Sequence, residues 1–174
     1  MKYKLTFLII FLNFLAFSQT IEWSPNLKLT RNDFKGKIPE NTINHAGTSY
    51  NISYEIVSTS IWTGKIQIRT YAIFNKAESW LNETFYTDGL LNHEQKHFDI
   101  AQIFAYKLQK LINKETKNSK DFNSKISYLS KIIGDECIAF QEKYDLETDH
   151  GTILEKQKEY DIIIENYLLN NNYR

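Results

Sequence analysis

The sequence predicts an α+β domain: an N-terminal antiparallel sheet followed by three long helices. Two patterns carry this. Between residues 19 and 85 apolar and polar residues alternate in several short runs, the mark of strands with one buried face. From residue 88 onward apolar residues recur at every third or fourth position, the mark of amphipathic helices. The 174 residues, 42% of them hydrophobic, suffice for one domain with its own core. No internal repeat divides them.

The first residues read as a targeting segment. Met1–Lys4 carries two lysines, and Leu5–Phe17 is apolar apart from Thr6 and Asn13. Ala16 and Ser18 place small residues before a cut. The pattern predicts a signal peptide over residues 1–18 and a single mature domain over 19–174. The apolar run is short for a membrane span, so no stable anchor is expected after cleavage. The protein is expected to be exported, to the periplasm or beyond the cell.

In the mature chain Ile21–Trp23 is extended and ends at Ser24-Pro25-Asn26, Leu27–Thr30 alternates, and Asn32–Gly36 turns. Ser49–Ser58 and Lys65–Phe74 alternate strongly, with a turn at Thr63-Gly64 between them. A short helix carrying Trp80 is expected within Asn75–Phe85. The strands should form a sheet with one face against the helices. Helix one is expected over Asp88–Lys114, capped by Thr87 or Asp88, and the polar stretch Glu115–Lys120 breaks it. Helix two should run from Asp121 to Tyr144, with Phe122, Ile126, Leu129, Ile133, Cys137 and Phe140 along one side. A polar linker, Asp145–Gly151, precedes helix three, Thr152–Leu169. Phe98 falls on the core side of helix one. Cys137, the sole cysteine, falls on an apolar face and should be a buried, inert thiol.

Charge excludes one class of partner. Twenty-one basic residues balance 21 acidic ones, and no basic patch with interleaved aromatics marks a nucleic-acid surface. The oligomeric state is left open.

The chemistry concentrates in Leu90–Ile100, which contains His93-Glu94-Gln95-Lys96-His97. On a helix, residues i and i+4 share a face, so His93 and His97 can offer two imidazole nitrogens to one zinc ion. Glu94 lies within reach of water bound there. A catalytic zinc takes three protein ligands and keeps one position open. Helices one and two should pack antiparallel across a short connection. Helix two therefore returns the run Tyr144-Asp145-Leu146-Glu147-Thr148-Asp149-His150-Gly151 to the level of the histidines. His150 is the expected third ligand, because Gly151 lets the chain turn tightly beside the metal. Glu147, Asp149 and Glu136 compete for the position.

Asp33-Phe34-Lys35-Gly36, Thr48-Ser49, Ile52-Ser53-Tyr54, the His93–Ile100 run and the Tyr144–Gly151 run together resemble a bacterial family of predicted secreted zinc-dependent proteases, the domain-of-unknown-function family 922. The pieces span nearly all of the mature chain. Arg31 and Tyr160 stand where the family often has Trp. The resemblance implies a zincin-like fold and marks His150 within its run.

The expected function is an exported zinc peptidase acting on a peptide or protein substrate, with Zn²⁺ on His93, His97 and His150 and Glu94 as general base. Tyr144 is a candidate oxyanion donor, or else a packed helix end. Asp99 either orients a ligand histidine or pairs on the helix surface, and His45 is a surface histidine or an active-site donor. The strand Lys65–Phe74 is expected to lie along the site and hold substrate by β-addition. Two alternatives stay open: a zinc hydrolase of another amide bond, as in cell-wall material, and a non-catalytic zinc-containing binding module.

Overall fold

A computed structural model describes residues 19–171 of the chain; the expected signal segment, 1–18, lies outside the described residues. The elements are β1 (Thr20–Glu22), β2 (Ala46–Gly47), β3 (Tyr50–Thr59), β4 (Ile66–Asn75), β5 (Trp80–Leu81), α1 (Asp88–Glu115), α2 (Ser119–Thr148) and α3 (Leu154–Asn171). The class is α+β, antiparallel strands followed by three helices. Among the described residues no helix is long and apolar enough to cross a membrane.

The main sheet has the order β1-β4-β3, with both pairs antiparallel. Along β4 the period-two pattern buries Ile68, Thr70, Ala72 and Phe74, and this face packs on α1. The helix also closes the strand's outer edge. Gln109 accepts from the Thr70 N–H and Gln102 from the Ala72 N–H, each at 2.9 Å. The Thr70 hydroxyl donates to the Ala105 carbonyl. β4 is the central strand, and α1 takes the Thr70 and Ala72 amides on its β1 side, so the middle of Lys65–Phe74 is already bonded where β-addition of substrate was expected.

Two further expectations differ. Leu27–Thr30 forms no strand: its backbone docks on α1 instead, with the Leu29 N–H donating to Gln95 Oε1 at 2.7 Å. Trp80 lies in a strand rather than a helix. β5 pairs antiparallel with β2, Gly47 opposite Trp80, and the indole lies so close to Gly47 that a Cβ there would meet Trp80 Nε1 at 2.7 Å. A short 3₁₀ turn follows at Glu83–Phe85.

Thr87 caps α1 by accepting from the Leu90 N–H. Phe98, Ile100, Ala101, Phe104, Ala105, Leu108 and Ile112 bury the helix between the sheet on one side and α2 and α3 on the other. α2 runs four residues beyond its expected end. Thr148, in the stretch that reads as linker, is fully buried, and its hydroxyl donates to the Tyr144 carbonyl. The helix stops where Asp149, His150 and Gly151 all take positive φ, at 47°, 51° and 84°. Cys137 is buried, and burial pushes its thiol pKa up.

Candidate metal centre

The first turns of α1 place His93, Glu94 and His97 against the last turns of α2. His93 is 1% exposed and Glu94 4%. Their walls form a cleft of about 430 Å³, lined also by Thr48, Tyr50, Asp145 and His150, and at its mouth by Ile43 and His45.

Three atoms converge at its floor. His93 Nε2 lies 3.1 Å from His97 Nε2. The Asp145 Oδ1 atom lies 3.1 Å from the first and 2.9 Å from the second. His150 Nδ1 is 3.8 Å from the same carboxylate oxygen, with its side chain 52% exposed. Asp145 thus lies nearer the two imidazoles than the expected third ligand, His150, yet His93, Asp145 and His150 all bring a ligand atom within 4.8 Å of one another, as do His93, Glu94 and His97.

The protonation of the imidazoles follows from what lies behind them. Gln141 spends its amide N–H on the His97 carbonyl, so its Oε1 faces His97 Nδ1. Gln157 donates to Asp161 at 2.8 Å, and its Oε1 faces His93 Nδ1 at 3.1 Å. An amide oxygen only accepts, so both Nδ1 atoms carry the hydrogen. In the neutral rings both Nε2 atoms are then bare lone pairs, aimed at one point beside a carboxylate. Such a set is held together by a positive charge among it, either a proton on one Nε2 or a metal cation. Zinc bonds of about 2.0–2.1 Å in a tetrahedron separate donors by about 3.3 Å. The observed separations of 2.9–3.1 Å match within a few tenths of an ångström. The donor chemistry and the spacing fit zinc.

Without a metal the same contacts are hydrogen bonds, with a proton on Nε2 in the place a metal cation would take. Burial opposes the charged form of Asp145, but hydrogen bonds from His93 and His97 outweigh it and hold the carboxyl well below the usual range. Burial likewise opposes protonation of His97, yet its bond to Asp145 and the nearby Glu94 charge raise its pKa. Glu94 receives a 2.6 Å hydrogen bond from the Thr48 hydroxyl, which fixes its rotamer.

Other expected residues sit differently. Tyr144 is fully buried, its ring stacked on His93 at 4.6 Å. Its hydroxyl donates to Gln157 at 2.9 Å, and burial raises its pKa. The group expected to serve as oxyanion donor is thus engaged away from the cleft and supports the His93 ring. Asp99 orients no histidine. It is buried and accepts from Trp23 Nε1 and Gln95 Nε2, tying the N-terminal segment to α1. Glu147 turns to Tyr160 on α3, and Glu136 pairs with Lys107, so neither competes for the metal position. Asp149 lines the cleft but accepts from the Thr152 hydroxyl. His45 stacks on Phe85 at 3.9 Å on the rim.

Residues 30–151 match the model of a family described as bacterial protein of unknown function, DUF922. The chain belongs to that family. No curated protein and no solved structure matches it. The DUF922 match takes in Thr48, His93, Glu94, His97, Asp145 and His150, and it ends on Gly151. In this DUF922 chain Gly151 has φ +84°, and a Cβ there would lie 2.9 Å from His93 Cβ and 3.1 Å from Nδ1. Gly151→Ala is therefore expected to push on a ring already held by Tyr144 and Gln157. It should cost about 1–3 kcal/mol through the left-handed backbone and the clash, lowering Tm by several degrees. An unchanged Tm in thermal unfolding would show that the chain beside His93 is free to shift.

Proposed function

We propose that this chain is a zinc-dependent peptidase, zincin-like in its His-Glu-x-x-His helix, with His93, His97 and Asp145 as the metal-holding set. The observation that carries the reading is the convergence of two imidazole lone pairs and a carboxylate, with Gln141 and Gln157 fixing the proton on the far nitrogens. Such outer partners set tautomer and orientation in metal sites.

A zinc ion held by His93, His97 and Asp145 would supply a water of lowered pKa, about 7, and a Lewis acid for the carbonyl oxygen. The chain's own groups supply the rest. Glu94, buried and oriented by Thr48, takes a proton from the attacking water and delivers it to the leaving amine as the C–N bond breaks. His150, exposed at the cleft and not buried in the set, is placed to donate to the oxygen that gains charge. β2 borders the cleft and pairs with β5 along one edge only. Its other edge can add an extended peptide strand, the role expected earlier of β4. Export, with removal of residues 1–18, is part of the same reading and rests on the N-terminal charge and apolar run.

The test is metal analysis joined to a cleavage assay. The purified protein should hold about one zinc per chain. It should cleave members of a peptide library, lose that activity to a chelator and regain it when zinc returns. Absence of bound zinc after reconstitution would sink the metal reading. Full zinc occupancy with no peptide cleaved, but with amide-linked cell-wall fragments released, would move the substrate to that class.

A further inference from the structure

We propose that the β3–β4 hairpin tip docks the protein on an anionic phospholipid surface. The two residues at its apex, Ile61 and Trp62, are 90% and 92% exposed. Further back on β3, Ile56 is 53% exposed, and Val57, the extra residue where the register shifts, 52%. Exposed apolar area of this kind at a convex tip fits no concave pocket of its own and marks a contact site.

The tip is preformed. The Gly64 N–H donates to the Ser60 carbonyl, and the Ser60 N–H donates to the Lys65 carbonyl, both at 2.8 Å. Gly64 sits at φ +67° to close the turn. The hairpin is then braced from the side, because the Ser119 N–H donates to the Gly64 carbonyl at 3.0 Å. Little ordering entropy therefore remains to be lost on docking.

That brace also brings charge to the tip. The α1–α2 turn carries Lys114, Lys117, Lys120 and Lys125 beside Lys65 of the hairpin, against Glu115 and Asp121. Glu115 is engaged by Lys114 and Lys125. The Asp121 carboxylate accepts from the Lys117 N–H and the Asn118 amide. Among the described residues, Lys65, Lys117 and Lys120 are exposed and enter no ion pair. In a chain of zero formal net charge, this end is locally cationic. An apex of Trp and Ile ringed by lysines matches the two layers of a lipid interface: apolar groups at the acyl boundary and cations at anionic headgroups. The contact is peripheral and reversible, unlike a spanning anchor. His93 and His97 lie near the other end of α1, about 30 Å from this turn at 1.5 Å per residue, so the cleft stays open to solvent on a docked molecule.

The experiment uses the full chain with vesicles of phosphatidylcholine alone and of an equimolar mixture with phosphatidylglycerol. The tryptophan readout is local. Of the three tryptophans, Trp62 alone sits at the tip. Lipids brominated in the acyl chains should quench tryptophan emission of the wild type on mixed vesicles. Trp62→Phe should lose most of that quenching, even where residues 5–17 contribute binding of their own. Replacing Lys65, Lys117 and Lys120 together by Gln should weaken partitioning onto mixed vesicles by about a hundredfold, at about 1 kcal/mol per lysine. Quenching that survives Trp62→Phe would overturn the proposal. So would equal partitioning onto both vesicle types, or a Trp62 signal that follows protein self-association instead of lipid.

Discussion

Asp145→Ala should weaken zinc binding by well over a hundredfold, and His150→Ala by much less. The reasoning is geometric. Asp145 Oδ1 lies 2.9 and 3.1 Å from the two imidazole nitrogens, whereas His150 Nδ1 is 3.8 Å from that oxygen on a half-exposed side chain. Groups that only support a ligand are worth ten- to hundredfold in metal affinity, so loss of a direct ligand must exceed that. Asp145 also carries the negative charge that lets a dication sit beside two neutral rings. Competition against a chromophoric chelator measures the affinities, and circular dichroism checks the fold. Glu147→Ala is the internal control, since its carboxylate faces Tyr160. Should His150→Ala prove the more damaging change, the third ligand passes to His150 and Asp145 becomes its orienting partner. Under the present reading His150→Ala instead keeps zinc and loses turnover.

The reason Asp145 escapes a reading of the sequence is instructive. The stretch after Tyr144 is polar, so it reads as linker, and a linker gives no rule for which side chain faces inward. In the structure the helix continues. Cys137, Gln141, Tyr144 and Thr148 are its buried stripe, and Asp145 sits four residues after Gln141 on the same side. Extending the three-to-four spacing of Phe122, Ile126, Leu129, Ile133 and Cys137 by three more steps reaches Gln141, Tyr144–Asp145 and Thr148. The signal was present but carried by polar residues, which an apolar periodicity does not count. Gln157 was harder to find. It lies on α3, outside every motif, and only the packing of α3 on α1 brings it behind His93.

The strongly periodic parts were legible for the opposite reason. Helix α1 is hydrophobic on the faces that meet both the sheet and the other helices, and its N-cap Thr87 stands at the expected place. The β3–β4 hairpin follows from two alternating runs with Gly64 between them. The failures are short segments decided by tertiary partners. Leu27–Thr30 has the alternation of a strand, but Gln95 supplies the hydrogen bond that a neighbouring strand would have given. Trp80 enters β5 because its indole packs over Gly47, a contact between residues more than thirty positions apart. The central place of β4 is likewise invisible locally, since it depends on pairing with β1, some fifty residues away, as well as with β3.

Glu94→Gln should leave zinc bound and the fold intact while lowering the cleavage rate by at least about a hundredfold, the usual worth of a positioned general base. The substitution keeps the side chain's volume at a site 4% exposed. The Thr48 hydroxyl, which donates to Glu94 Oε2 at 2.6 Å, can turn to accept from the new amide, so no buried polar group is orphaned. Metal affinity should hold under the proposed set of His93, His97 and Asp145, in which Glu94, though within 4.8 Å of both histidines' ligand atoms, is not a ligand. What disappears is the group that accepts the water's proton and returns it to the leaving nitrogen, since an amide cannot be protonated in that role. Zinc content and cleavage rate measured on one preparation separate the possibilities. Loss of both would make Glu94 part of the metal-holding set. Zinc retained with undiminished cleavage would require another base in the cleft, and the exposed His150, whose Nδ1 lies 3.8 Å from Asp145, would be the next to replace.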